Sequence, residues 1–326
     1  MRRRRFIAFI GMAGLALPHA VRAQPTHPIP KIGWLKIQGR LHTPSQLQAF
    51  REGMKALGLI EGRDFVLEER YADGDEKRLP GLAADLINSG VALIVATSQP
   101  SIAAAWRATK SIPVIGRMVD DPVADGMAQS GGNVTGVYTM TEEMNPKRLE
   151  LLKEAVPSVG RVGVLMRQDF PSANIATRDW KAAEAAAHRL AVELVALNVT
   201  TAKGITSAFE ATSKRNIDGI MTFRNPTVVT HLDLIAALSR EHRLPGIFDA
   251  REYVEAGGLM SYGPNIDKTY RQLAGFVPKL LHATPPGELP IEEPTSFELV
   301  INRRAADDIG VSLPPSLLLQ VDKVID

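Results

Sequence analysis

Among 326 residues there is no cysteine. In an exported chain this excludes a disulfide framework, which a protein able to bury a core of this size does not need. It also excludes a lipid-modified cysteine at a cleavage site, so no lipoprotein is expected. No GxGxxG follows a strand, and GxxxxGK[ST], GxSxG and HExxH are absent, which removes the commonest dinucleotide, nucleotide, esterase and zinc-protease signatures. The seven histidines are scattered. No pair of them has ligand spacing with a nearby carboxylate, so neither a metal nor a cofactor is expected. No basic stretch carries interleaved aromatic residues, so no nucleic-acid partner is expected either.

What is present begins with "MRRRRFIAFIGMAGLALPHAVRAQ". A block of arginines, an apolar run from Phe6 to Leu17 and small or apolar residues at Val21 and Ala23 make an export signal, residues 1–23, cut after about Ala23. The run is shorter than the roughly 20 residues that span a bilayer. Arg3-Arg4-Arg5 before Phe6 and Ile7 also fits twin-arginine export, and the two routes stay open. The cut removes five arginines and no acid, so the net charge of +2 becomes −3 in the mature chain. The basic balance therefore belongs to the signal, and the mature protein is expected free in the periplasm.

From Lys31 onward, short apolar runs alternate with stretches of helical period. "KIGWL", "FVLEERY", "ALIVAT" and "IPVIGRM" read as strands, separated by a helix through Leu47, Phe50 and Met54 that Gly58 ends, a helix at 79–89 and one at 100–108. After "GGNVTGVYTM" the rhythm restarts. Asn145 is expected to cap and Pro146 to open a helix, followed by "RVGVLM", a helix from Asn174 to Leu190, "VELVALNV", a helix from Ile205 to Arg215, "GIMTF", one helix from Val228 to His242, and "LPGIF". "PPGELPIEEPTSFELV" reads as irregular. The fold class is α/β, with two doubly wound parallel-sheet lobes joined by a hinge. The first lobe is expected over 31–138 with about 264–285, the second over 139–263 with about 286–326.

Four strand ends place proline at or near a helix start: Gln99-Pro100, Asp121-Pro122, Phe170-Pro171 and Asn225-Pro226. Proline suits the first helical turn, where its missing N–H would be unpaired anyway. Helix starts at the carboxyl ends of strands converge on one crevice, which suits a carboxylate. Asp120 and Asp121 leave a strand as neighbours and point to opposite sides, so they are not expected to share a proton as a dyad. Asp121, directly before proline, is placed to cap the following turn; one carboxylate is expected to cap while the other faces the crevice, and which one faces it stays open. Asp73 and Asp75 in "ADGDE" read as turn and capping acids.

The strings "FREGMKALGLIEGRDFVLEERYADGDEKRLPGLAADL", "GGNVTGV", "PKRLELLKEAVP", "FDAREYVEAGGLMSYGPN" and "PTSFELVINRRAADDIGVSLPPSLL" closely resemble the ABC-transporter substrate-binding protein family that includes tryptophan- and phenylalanine-associated binding components. The resemblance runs from about Lys31 to the C-terminus. It implies a two-lobed binding protein of the type I kind, with three crossings between lobes, that closes on a small-molecule ligand and delivers it to an ABC permease in the inner membrane. It implies a monomer and no reaction.

Carried over residue by residue, the family's pocket falls on Lys36 to Arg40, Thr97 with Ser98, and Asp121 in the first lobe. In the second it falls on Arg167 to Asn174, including Phe170, and on Arg224 with Asn225, Asp249 and Tyr262. This chain departs from the pattern at Lys36, Gln38 and Arg40, where relatives commonly carry small residues. It departs again at Asp120 and at "RQDFPSAN". Arg167 and Arg224 add two guanidinium groups at second-lobe strand ends. The expectation is a carboxylate-bearing or amino-acid-like ligand gripped by Arg167 or Arg224 and by helix-start N–H groups, with Asp120 or Asp121 taking an amine or hydroxyl, and Phe170 and Tyr262 over any apolar part. Pairing of both arginines with neighbouring acids is the open alternative for that clamp. A ligand-presenting sensor, or an exported enzyme using Asp120 or Asp121, stays open as an alternative function.

Overall fold

The structure is a computed structural model that describes residues 28–41, 44–119, 127, 131–139, 141–168 and 173–326, the side chains of 141, 142 and 173–175 excepted. The expected export signal lies outside the described residues. In chain order the first sheet is built from β1 (Lys31–Lys36), β2 (Val66–Tyr71), β3 (Leu93–Ala96), β4 (Val114–Met118) and β5 (Val134–Tyr138), arranged β2-β1-β3-β4-β5 and wholly parallel. The second is built from β6 (Arg161–Met166), β7 (Glu193–Asn198), β8 (Gly219–Thr222), β9 (Gly246–Phe248), β10 (Met260–Pro264), β11 (Phe297–Asn302) and β12 (Lys323–Ile325). Its order is β12-β11-β10-β9-β8-β6-β7, with β10 and β11 antiparallel and the other pairs parallel. Two α/β lobes are thus present, as the alternation of strand and helix implied.

Strand alternation sorts the first lobe's core into two layers. Ile32 and Trp34 of β1 face one side, where they meet Leu47, Phe50 and Met54 of α1 (Pro44–Ala56). Leu35 faces the other, against Leu79, Ala83 and Leu86 of α2 (Leu79–Asn88) and Ile102 of α3 (Gln99–Ala108). Each large apolar side chain buried in this way contributes about 1.5–3 kcal/mol. In the second lobe, α4 (Thr141–Ala155) and α5 (Ala173–Leu190) bring Leu149, Leu152, Ala183 and Ala187 to one face of the sheet. On the opposite face lie Ile205 and Phe209 of α6 (Ala202–Glu210) and Val228 of α7 (Pro226–Thr230). Ile235 of α8 (Leu232–Glu241) and Tyr253 of α9 (Arg251–Glu255) complete that layer.

The chain passes between the sheets three times. It leaves β5 for α4, leaves β10 for α10 (Ile266–Ala274) and α11 (Phe276–Leu281), and returns to β11. Tyr270, Leu273, Phe276 and Val277 of α10 and α11 complete the Trp34 layer, with the Tyr270 and Phe50 rings each 5.6 Å from Trp34. Gly53 lets α1 and α10 approach closely: a Cβ there would lie 2.8 Å from the Ala274 Cβ and from the Arg271 carbonyl. Before β11, Glu292 bridges to Val137, so this stretch runs along β5. After β11, α12 (Arg303–Ile309) and α13 (Pro315–Leu318) precede β12. No helix among the described residues is long and apolar enough to cross a membrane.

Three local expectations change. The helix expected to open at Pro146 starts at Thr141 and contains it. Asn145 accordingly does not cap the backbone, and its Oδ1 accepts from Arg148 Nη1 at 2.6 Å. The single helix expected from Val228 to His242 is two, α7 and α8, broken at His231 after a run of β-branched residues that lowers helix propensity. Finally, "FELV" is not irregular: Phe297 onward pairs with β10. Asp75 caps the turn after β2 as expected, accepting from Lys77 N at 3.0 Å, and Asp73 pairs with Arg78 at 2.6 Å.

Candidate functional site

The carboxyl ends of the strands meet between the lobes in a cleft of about 530 Å3, counting its open mouth. From the first lobe come Ile37 and Gln38 after β1, Thr97 and Ser98 after β3, and Arg117 of β4. From the second come Arg224, Asn225, Pro226 and Val229. Two helix starts face this space, built alike because the sequence repeats a polar residue and a nearby proline. Ser98 Oγ caps α3, accepting from Ser101 N at 3.4 Å, and Asn225 Oδ1 caps α7, accepting from Val228 N at 3.2 Å.

Two arginines, Arg117 and Arg224, stand in a lining of otherwise neutral residues. Arg117 is 4% exposed, and burial, then the nearby Arg224, pushes its guanidinium down to about 10. Its Nε has no hydrogen-bond partner among the described residues, and neither has Thr97 Oγ1. Leaving such groups unpaired costs about 1–3 kcal/mol each, and more for a charge. Tyr270 Oη donates to the Thr97 carbonyl at 3.3 Å, and burial pushes this hydroxyl's pKa up. Lys36, 2% exposed at the end of β1, is pushed down to about 8 by burial, partly opposed by Glu252.

The second lobe supplies the counter-charges. Arg224 pairs with Asp249, whose other oxygen accepts from Thr222 Oγ1 at 3.3 Å. Burial works against both ions, but their mutual attraction outweighs it, holding the guanidinium above and the carboxyl below their ordinary values. Arg148, another neighbour of Asp249, donates through Nε to the Tyr262 carbonyl at 2.7 Å. Burial pushes the Glu252 carboxyl up, so it resists carrying charge.

Of the residues picked from the sequence, Thr97, Ser98, Arg224 and Asn225 line the cleft and Lys36 flanks it. Asp249 stands behind Arg224, buried and committed to it. Arg224 is therefore already paired with a neighbouring acid. Arg167 reaches Glu76 of the other lobe. Tyr262 does not line the cleft: it sits on β10 against the second-lobe core, its ring stacked 6.4 Å from Phe297. Asp120, Asp121, Phe170 and the side chain of Asn174 lie outside the described residues. Among those described, no group of three or more acids and histidines is placed to hold a metal. Arg117 was not picked, although the signal was there: a parallel strand buried on both faces reads as a continuous apolar run, and "IPVIGRM" breaks it with an arginine.

The family model described as "ABC transporter substrate binding protein" matches residues 42–325. A tyrosine-binding protein of Clostridioides difficile (strain R20291) is 26% identical over 269 residues, which are 79% of this chain and 75% of that protein. Among solved structures, an ABC domain from Streptococcus pneumonia in complex with L-Trp matches with a TM-score of 0.81 at 22% identity, over 91% of this chain and 99% of that one. A conserved domain protein from Vibrio cholerae matches with a TM-score of 0.80 at 24% identity, over the same shares.

Proposed function

The chain belongs to the ABC transporter substrate-binding protein family, and from that premise we propose that it captures a small carboxylate-bearing or amino-acid-like ligand between its lobes for an ABC importer. The reading includes export to the periplasm, hand-over to an inner-membrane permease, action as a monomer, and release of the ligand chemically unchanged. The lobes would be 31–138 with about 264–285 and 139–263 with about 286–326, closing about the three crossings.

One observation carries the ligand class. Arg117 is buried in the cleft with its Nε unpaired among the described residues, opposite the helix start that Asn225 caps. A buried guanidinium with an unpaired Nε–H is a receptor for an anion, and a carboxylate suits it because charge-assisted hydrogen bonds are the strong ones. Tyrosine and tryptophan, named with the relatives above, each bear such a carboxylate. A ligand touching both lobes favours the closed arrangement by its differential affinity for it.

The test is a thermal-shift screen of the mature chain against amino acids, small carboxylates and neutral sugars, followed by calorimetry and by mass analysis of the recovered ligand. A carboxylate that raises the melting temperature and is recovered intact is expected. Binding of neutral sugars alone, or turnover of the bound compound, would remove the reading.

A further inference from the structure

The reading above leaves the ligand's tail open, and the unpaired polar groups of the cleft define it. Resting on that reading, we propose that the preferred ligand is a short aliphatic acid whose tail ends in a carboxamide, received by Gln38, Gln46 and Thr97, and not an aromatic amino acid.

These three residues border the cleft from separate elements: Gln38 beyond the end of β1, Gln46 in the first turn of α1 and Thr97 at the end of β3. They are only 9%, 7% and 5% exposed. Yet neither glutamine amide, nor Thr97 Oγ1, has a hydrogen-bond partner among the described residues. Buried polar side chains are ordinarily paired, so three unpaired ones on one wall mark a receptor for a group from outside the chain. Each carboxamide offers one acceptor oxygen and two N–H donors, and Thr97 adds a hydroxyl. A carboxamide on the ligand answers this set in both directions, whereas a lone hydroxyl has a single donor to give. A buried charge needs an opposite charge against it, and these receivers are neutral, so the tail they hold is neutral too.

The second lobe contributes differently. Asn225 has its amide committed at both ends, Oδ1 to Val228 N at 3.2 Å and Nδ2 to the Phe223 carbonyl at 3.0 Å, and Arg224 is paired with Asp249. What this lobe adds besides them is the hydrocarbon of Pro226 and Val229, and the first lobe supplies Ile37, Pro100 and Val119. An aliphatic stem buries its CH2 groups against these residues while its polar end stays with the first lobe. An apolar tail would take water from the three polar groups and return no hydrogen bond, and sites of that kind discriminate most sharply against such a ligand.

Calorimetry of the mature chain with isosteric pairs decides the matter: L-asparagine against L-leucine, and succinamate against isocaproate, the same pair without the amine. L-Glutamine, L-glutamate, L-tyrosine and L-tryptophan complete the panel. The amide of at least one pair is expected to bind about 10- to 100-fold more tightly than its isostere, as loss of one or two hydrogen bonds predicts. Gln38→Met and Gln46→Met should each shrink that ratio about 3- to 10-fold, whereas Arg117→Met should weaken both members of a pair alike. The wild-type panel stands even if a variant misfolds. An isostere, tyrosine or tryptophan binding as tightly as the amides, or glutamate binding more tightly than glutamine, would overturn the carboxamide while leaving a carboxylate-binding protein. Failure of every acid in the panel to bind would overturn both.

Discussion

Arg167 Nη1 lies 3.4 Å from Glu76 Oε1, and the two residues belong to opposite lobes. Both are partly exposed, at 22% and 29%, so the pair ties the two lobes only weakly. Glu76→Gln should speed ligand release about 2- to 5-fold with little change in capture, as a partly exposed ion pair worth under about 1 kcal/mol allows. Stopped-flow measurements at low and high salt check this: the wild-type advantage should shrink as ions screen the pair. An unchanged off-rate at low salt would show that the contact does not hold the lobes together.

A stability prediction concerns Arg224 and Asp249. Removing one partner of a buried pair leaves an uncompensated charge, so Asp249→Ala should cost about 3–5 kcal/mol in urea unfolding. The double variant Asp249→Ala with Arg224→Met should recover a substantial part of that loss. No recovery would mean that Asp249 acts mainly through Thr222 and Arg148.

Lys36 makes stability pH-dependent, with a definite sign. Its ammonium loses its proton near pH 8 in the folded chain and near 10.5 when unfolded. Below pH 8 both states carry the charge, and the folded state bears the full penalty of burying it. Between about pH 8 and 10.5 the unfolded chain binds a proton that the folded chain has released, so stability rises with pH. The full rise, from the difference between 10.5 and about 8 at about 1.36 kcal/mol per pH unit, is about 3 kcal/mol. Lys36→Met should flatten this part of the wild-type profile, measured as urea midpoints from pH 7 to 10. If the ligand is anionic, its affinity should fall over the range where Lys36 loses its charge.

Two glycines should respond in opposite directions to the same change. At Gly53 an added methyl would meet the α10 backbone, so Gly53→Ala should destabilise by about 1–3 kcal/mol. At Gly81, on α2, nothing lies within 4 Å. Gly81→Ala should therefore stabilise by about 0.5–1 kcal/mol through the restricted unfolded chain. Thermal melts of the two variants give the comparison directly.

Local signals were readable where local physics decides. Trp34 and Leu35 announce a two-faced strand, Ser98 before Gln99-Pro100 and Asn225 before Pro226 announce helix starts, and Gly58, at φ +80, ends α1 in the left-handed turn its position suggested. What the sequence concealed was non-local. The antiparallel register of Phe297 to Asn302 on β10 exists only because a distant strand offers an edge. Asn145 reads as a cap until Arg148 is seen competing for its oxygen. Tyr262 was chosen by resemblance, yet its alternation along β10 sends the ring into packing with Phe297. The arginine in "IPVIGRM" was a readable anomaly, but its place opposite Arg224 depends on how the second lobe packs, which is non-local.

The shielding of Trp34 by Tyr270 and Phe276 also bears on biosynthesis. The first sheet is fully translated by residue 138, but the helices that seal one of its faces end only at residue 281. A nascent chain that has not reached them carries a greasy, half-built layer. Ribosomal stalling or C-terminal truncation before that point should therefore produce sticky, chaperone-dependent fragments, and neither half can be obtained by simply cutting the gene in two.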